Sequence, residues 1–249
     1  MSEESGVLVR ADGVGLAWKR IPGLGPTIVF LPGFRSDMEG SKAVFLAGFA
    51  AEQGQAMLRL DYSGHGVSGG RFEDGSIGLW TADALAVIDA ETEGPLILVG
   101  SSMGGWIGLN IALARPDRVI GYIGIAAAPD FTETLIWGQM PPAIQEKLMA
   151  EGVVYAPSDY GEPLPLTRRL IEDGRRHLLL GDTIALTCPL RLLQGQQDPD
   201  VPWQTALTIA EKVESTDVRV VLIKDGDHRL SRESDLALLK QAVVELLPV

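Results

Sequence analysis

Cysteine is nearly missing from this chain: Cys188 stands alone among 249 residues, so no internal disulfide is available and a reducing compartment suits the usage. Beside Pro189 it is expected to be a buried small hydrophobe. Long apolar runs are missing as well, and nothing approaches the ~18 residues of a membrane span. The opening MSEESGVLVR is acidic and has no apolar signal core. Basic charge is in deficit, with 21 Lys+Arg against 33 Asp+Glu and a net charge of −12. That balance argues against nucleic acid or an anionic membrane surface as the main partner. Repeats, low-complexity tracts and linkers are absent. Together these absences lead to the expectation of a soluble cytoplasmic protein with no stable membrane insertion; they say nothing of oligomeric state.

What the chain has instead is apolar residues, 46 % of it, enough for a sizeable core. They fall into short runs: TIVFLP (27–32), AMLRLD (56–61), PLILVG (95–100), VIGYIGIAA (119–127), PLRLLQG (189–195) and VRVVLIK (218–224). These are continuous rather than alternating, as in strands buried on both faces. Helical spacing fills the gaps at 40–53, 76–92, 103–115, 203–213 and 232–247. Strand and helix alternating in this way predict an α/β domain, a mainly parallel sheet with helices on both faces. The first 21 residues hold two extended pieces around an Asp-Gly turn and predict a hairpin at the sheet edge. From about 129 to 187 the strand spacing lapses. Helices at 131–139, 141–150 and 165–180 fit there, so one domain of residues 1–249 is expected to carry a small helical lid insertion over its site.

The stretch LVGSSMGGWIG (98–108) concentrates glycine where a strand meets a helix. G-x-G-x-x-G and G-K-[ST] are both absent, which disfavours a dinucleotide or phosphate loop. The pattern G-x-S-x-G fits, and a strand turning sharply into a helix pushes out the residue at its apex. Of the two adjacent serines only Ser102 has glycine at both −2 and +2, Gly100 and Gly104; Ser101 has Val99 and Met103 there. Ser102 is the expected nucleophile.

A serine hydroxyl needs a base and the base a carboxylate. Of three histidines, His65 lies in a glycine-rich loop and His177 in the insertion, while His228 follows the last apolar run and is the expected base. The acid should follow another strand. Asp198 is preferred there with Asp200 as the alternative, since Asp225 and Asp227 lie too close to His228 in sequence. For the oxyanion hole, a backbone N–H is expected from Met103 and another from Phe34, after the first parallel strand. Trp137, Met140 and Leu148 are candidate walls of an acyl pocket. Arg168, Arg169, Arg175 and Arg176 are a candidate rim for an anionic leaving group. The expected chemistry is acyl transfer to water, which requires neither a metal nor an organic cofactor.

On these motifs the chain resembles the α/β-hydrolase superfamily along nearly its whole length. FLPGFRSDMEGSKA, RLDYSGHGVSGG, VGSSMGGWIGL, TCPLRLLQGQQDPDVPW and DGDHRLS are similar to the small abhydrolase-domain enzymes that depalmitoylate protein thioesters and hydrolyse acyl glucuronides. The resemblance implies an α/β-hydrolase fold and catalytic Ser102, Asp198 and His228. It also implies a small-molecule or lipid-acyl ester or thioester as substrate, or an S-acylated protein. Lactone or carbon–carbon bond hydrolysis shares every motif, and a non-catalytic binding module predicts a broken triad.

Overall fold

Each of the six apolar runs becomes a strand in the computed structural model, which describes residues 2–157 and 163–248. The strands are β3 (Leu24–Leu31), β4 (Gln55–Leu60), β5 (Leu96–Ser101), β6 (Val119–Ile125), β9 (Leu190–Gly195) and β10 (Val218–Ile223). The predicted N-terminal hairpin supplies β1 (Glu4–Val9) and β2 (Gly15–Ile21), turning at Asp12-Gly13 where Gly13 takes φ 86°. The eight strands run in the order β1-β2-β4-β3-β5-β6-β9-β10. Every pairing from β4 to β10 is parallel, and only β1–β2 and β2–β4 are antiparallel.

The continuous apolar runs follow from burial on both faces of this sheet. Along β5, Leu96 and Leu98 enter one core while Ile97 and Val99 enter the other; along β3, Val29 and Leu31 separate from Ile28 and Phe30 in the same way. Helices α2 (Ile77–Glu91), α3 (Met103–Ala114) and α6 (Gln204–Lys212) cover the first face. The second is covered by α1 (Ser41–Gln53) and α7 (Glu233–Leu246). No helix among the described residues is long and apolar enough to cross a membrane.

Between β6 and β9 the chain leaves the sheet, as the lapse in spacing predicts, but its contents differ from three helices. Thr132–Ile136 is a π turn and Trp137–Gln139 a 3₁₀ turn, so the expected 131–139 helix is irregular. Helix α4 (Pro142–Glu151) is there. A two-stranded hairpin of β7 (Val153–Ala156) and β8 (Leu164–Thr167) follows, and α5 spans only Arg168–Gly174. Two local causes shorten that last helix. Pro165 carries no N–H and biases Leu164 toward extended backbone, while the Thr167 side chain accepts from Leu170 N–H and starts the helix late. Beyond α5 the Asp130 carboxylate accepts the N–H groups of Leu179 and Leu180 at 2.8 and 2.9 Å, which holds that stretch as a loop.

Candidate active site

Four loops leave the carboxyl ends of parallel strands and meet above the sheet, where open α/β sheets bind their ligands. After β5 comes the sharpest turn. Ser102 takes φ 54° and ψ −119° as the cap of α3, a strained conformation for a residue with a side chain. The surroundings enforce it: Ser102 N–H donates to Ile125 C=O (2.9 Å), and its own C=O accepts from Gly105 and Ala128 N–H (2.9 and 3.1 Å). A Cβ at Gly100 would run into the Gly104 carbonyl, and one at Gly104 into that of Leu31. These two glycines let strand and helix cross closely, and Ser102 is the residue left projecting. Ser101 ends β5, paired with Ile125 and buried.

His228, after β10, faces the serine. Ser102 Oγ–H donates to His228 Nε2 (3.1 Å) and His228 Nδ1–H to Asp198 Oδ2 (2.8 Å), since a carboxylate offers only acceptors and so fixes the tautomer. Asp198, after β9, has no exposed side-chain surface. Its Oδ1 accepts from Asp200 N–H and Val201 N–H, both at 2.8 Å, and Oδ2 accepts a second bond from Gln194 Nε2 at 2.9 Å. Burial by itself would raise this carboxyl. The hydrogen bond and charge of His228, with the two backbone N–H groups, outweigh burial and hold it below the usual carboxylate range.

The other candidates for acid and base have different occupations. Asp200 contributes its backbone N–H while its side chain is exposed. Asp225 pairs with Arg232 at 2.7 Å, and Asp227 accepts from Leu230 N–H at 2.9 Å. His177 lies 3.7 Å from Asp173. His65 is 3 % exposed, ringed by Tyr62, Phe72 and Trp80, with Nδ1–H donating to Ser63 C=O at 3.3 Å. Burial pushes His65 down to about 4, and the folded protein holds it neutral. The unfolded chain therefore binds a proton that the folded one refuses between pH 6.5 and 4, and stability is lost as pH drops through that window, by up to about 3 kcal/mol. The expected result in urea melts at stepped pH is a shallower loss of stability for His65→Gln between pH 6.5 and 4. Parallel slopes for variant and parent would show that the proton is taken up elsewhere.

After β3, the Pro32–Arg35 loop lies on the elbow: a Cβ at Gly33 would stand 3.4 Å from that of Ser102 and 3.3 Å from the Ser101 carbonyl oxygen. Phe34, the next residue, packs its ring on Phe72, Trp80 and Phe131 at centroid distances of 5.0, 5.9 and 5.6 Å. Met103 opens α3, in the first turn, where N–H groups have no intrahelical acceptor and the helix dipole favours negative charge. Loop 228–231 is tied to α1. Lys42 Nζ donates to Arg229 C=O (2.5 Å) and to Ser231 Oγ (3.5 Å), and Ser41 and Ser231 share a hydroxyl bond of 3.1 Å. Burial pushes the Lys42 ammonium down to about 8.

A cavity of about 320 Å³ opens at Arg35, just after Phe34, between Arg35, His65, Phe72 and Glu73 on the core side and Tyr155 and Pro165 of the insertion. The candidate acyl-pocket residues sit elsewhere. Leu148 is fully buried in the small core of the insertion itself, with Val154, Leu166 and Ile171, and Trp137 and Met140 pack partly buried against that core. Of the four arginines, Arg175 is engaged by Glu133 (2.7 Å) and lies over the Trp137 ring, and Arg168 is engaged by Glu172 (2.8 Å). Arg168, Arg169 and Arg176 line a second cleft on α5 with Glu172 and Asp173. Cys188 is half-buried against the first core, its thiol pushed up to about 11 by burial.

Among the described residues, Asp198, Asp200 and His228 bring their ligand atoms within 4.8 Å of one another, the arrangement nearest to a metal-ligand set. The Asp198 carboxylate already accepts four hydrogen bonds there, about its full capacity. Sequence reasoning passed over Gln194 and Lys42. Gln194 was detectable as the one amide inside an apolar run, because a buried polar side chain needs partners. Lys42 left no such signal.

A family model described as serine aminopeptidase, S33 (Hydrolase_4) matches residues 26–157. Palmitoyl-protein thioesterase ABHD10, mitochondrial, of Homo sapiens is 40 % identical over 242 residues, 96 % of this chain and 79 % of that protein. A putative hydrolase from Agrobacterium vitis S4 matches in structure with a TM-score of 0.95 at 39 % identity, covering 100 % of both chains. Alpha/beta hydrolase domain-containing protein 10 from mouse matches with a TM-score of 0.90 at 40 % identity, covering 98 % of each chain. These relatives correct one expectation. The cytoplasmic assignment rested on absences (cysteine pairs, an apolar signal core, a membrane-length run), and the ABHD10 relatives that overturn it are named as mitochondrial.

Proposed function

The chain belongs to the α/β-hydrolases, in the family of the ABHD10 palmitoyl-protein thioesterases, and from that premise we propose that it hydrolyses long-chain acyl thioesters and carboxylic esters, with S-acylated protein or a small-molecule acyl ester or thioester as substrate. The observation that carries the proposal is the hydrogen-bonded series Asp198–His228–Ser102, with Ser102 held in a strained elbow.

In the proposed reaction Ser102 Oγ attacks the thioester carbonyl carbon as His228 Nε2 accepts its proton. The Asp198 carboxylate stabilises the resulting imidazolium. Negative charge collects on the former carbonyl oxygen, which accepts from the N–H groups of Phe34 and Met103. Collapse breaks the carbon–sulfur bond, and His228 returns the proton to the leaving thiolate. Water then attacks the acyl-serine with His228 again as base, and the carboxylic acid departs. The insertion serves as a lid in this proposal; Tyr155 and Pro165 wall a cavity together with Arg35, the residue after the proposed oxyanion donor Phe34. A series of acyl thioesters and p-nitrophenyl esters of rising chain length tests the function. Turnover that strengthens with chain length on thioesters is expected. Turnover of lactones or C–C substrates alone would contradict it.

The oxyanion donors need a backbone test. Phe34→Pro removes the N–H and should cost about 10²- to 10³-fold in kcat. Phe34→Ala keeps the N–H, loses the ring contacts with Phe72, Trp80 and Phe131, and should lower the melting temperature more than kcat. Equal losses of kcat in the two folded variants would assign the effect to the ring.

A further inference from the structure

Gln194 is the penultimate residue of β9, and its side chain has no exposed surface. Its Nε2 lies 2.9 Å from Asp198 Oδ2, 3.3 Å from the Val201 carbonyl and 3.4 Å from that of Gly195. Three acceptors around one amide end settle which end is nitrogen, since a flipped amide would set oxygen against all three. The other end, Oε1, is buried and has no hydrogen-bond partner among the described residues. An unmet buried acceptor costs stability, and a methionine of the same shape would remove that cost. The glutamine is therefore a poor choice for packing and a good one for holding a carboxylate.

The effect on Asp198 is geometric. Two backbone N–H groups grip Oδ1 from the 198–201 turn, which leaves the carboxylate able to pivot about that grip. Gln194 fixes the other oxygen from the strand side, and Oδ2 is the oxygen that accepts from His228. We propose that Gln194 is a positioning residue for the proposed catalytic acid, its amide N–H holding Asp198 Oδ2 in line with His228 Nδ1. This inference rests on the triad assignment above. A misaligned Asp198 leaves His228 less well oriented, so the loss falls on turnover rather than on substrate binding.

The test is a double-mutant cycle read by steady-state kinetics and thermal melting. Gln194→Met should lower kcat about 5- to 30-fold with KM within about twofold, while melting close to the parent, because losing the unmet Oε1 offsets losing the amide donor. Gln194→Glu keeps the shape and replaces the donor by an acceptor aimed at Asp198, so it should lose more, and it serves as the readout if the methionine variant folds poorly. In an Asp198→Asn background Gln194→Met should change kcat by less than about twofold, because its route of action is already gone. A kcat near parental for Gln194→Met, or the same loss in both backgrounds, would overturn the proposal. Parental activity in Asp198→Asn itself would overturn the triad assignment, which separates the two failures.

Discussion

Ser102→Ala is expected to lower turnover on acyl thioesters by on the order of 10⁴- to 10⁶-fold, because it removes the covalent route. Ser101→Ala, one residue away, should keep most of the activity. The contrast follows from backbone geometry. Ser101 is the last residue of β5, buried and paired with Ile125, whereas Ser102 sits at φ 54° with its Oγ 3.1 Å from His228 Nε2. Both variants should bind substrate, so the loss should appear in kcat, with melting temperatures that exclude unfolding. Labelling by a fluorophosphonate should vanish with Ser102 and persist without Ser101. A Ser102→Ala protein that still takes the label would place the nucleophile elsewhere.

Asp198→Asn should cost about 10⁴-fold, since an amide facing Nδ1 favours the imidazole tautomer that carries its proton on Nε2 and cannot accept one from serine. The expected loss is large because Asp198 is held as an anion by four donors and its carboxyl lies below the usual range. Asp200→Asn leaves the backbone N–H that grips Asp198 Oδ1 in place and should stay within about threefold of the parent, as expected of an exposed side chain outside the network. Reversal of the two effects would move the acid two residues along the loop.

Legibility in the sequence followed the length scale of the cause. Strands buried on both faces wrote themselves as runs such as LILV at 96–99, and α1, α2, α3, α6 and α7 lie within a residue or two of their predicted limits. The elbow was legible because a crossing as close as that at Gly100 and Gly104 admits no side chain. Ser102, Asp198 and His228 could each be placed just after a strand from the sequence, and the structure brings the three side chains into hydrogen-bond reach of one another. The insertion was visible only as an interruption. Its contents were misjudged because Val153-Val154-Tyr155 is too short a signal to outweigh helical spacing, and because the start of α5 hangs on one proline and one threonine cap. Leu148 looked like a pocket wall for the same reason: an apolar stripe reads alike whether it faces a ligand or the private core it shares with Ile171. The tether from Lys42 to Arg229 joins residues 187 apart, and local pattern carries nothing over that distance.

The most direct test of the account is to catch the acyl-enzyme. Rapid acid quench of the protein during turnover of a palmitoyl thioester, followed by proteolysis and mass spectrometry, should find one acyl group on Ser102 within the segment 98–108. The adduct should disappear in Ser102→Ala and survive in Ser101→Ala. Full turnover with no acylated peptide at any quench time, or acyl on another residue, would contradict the account.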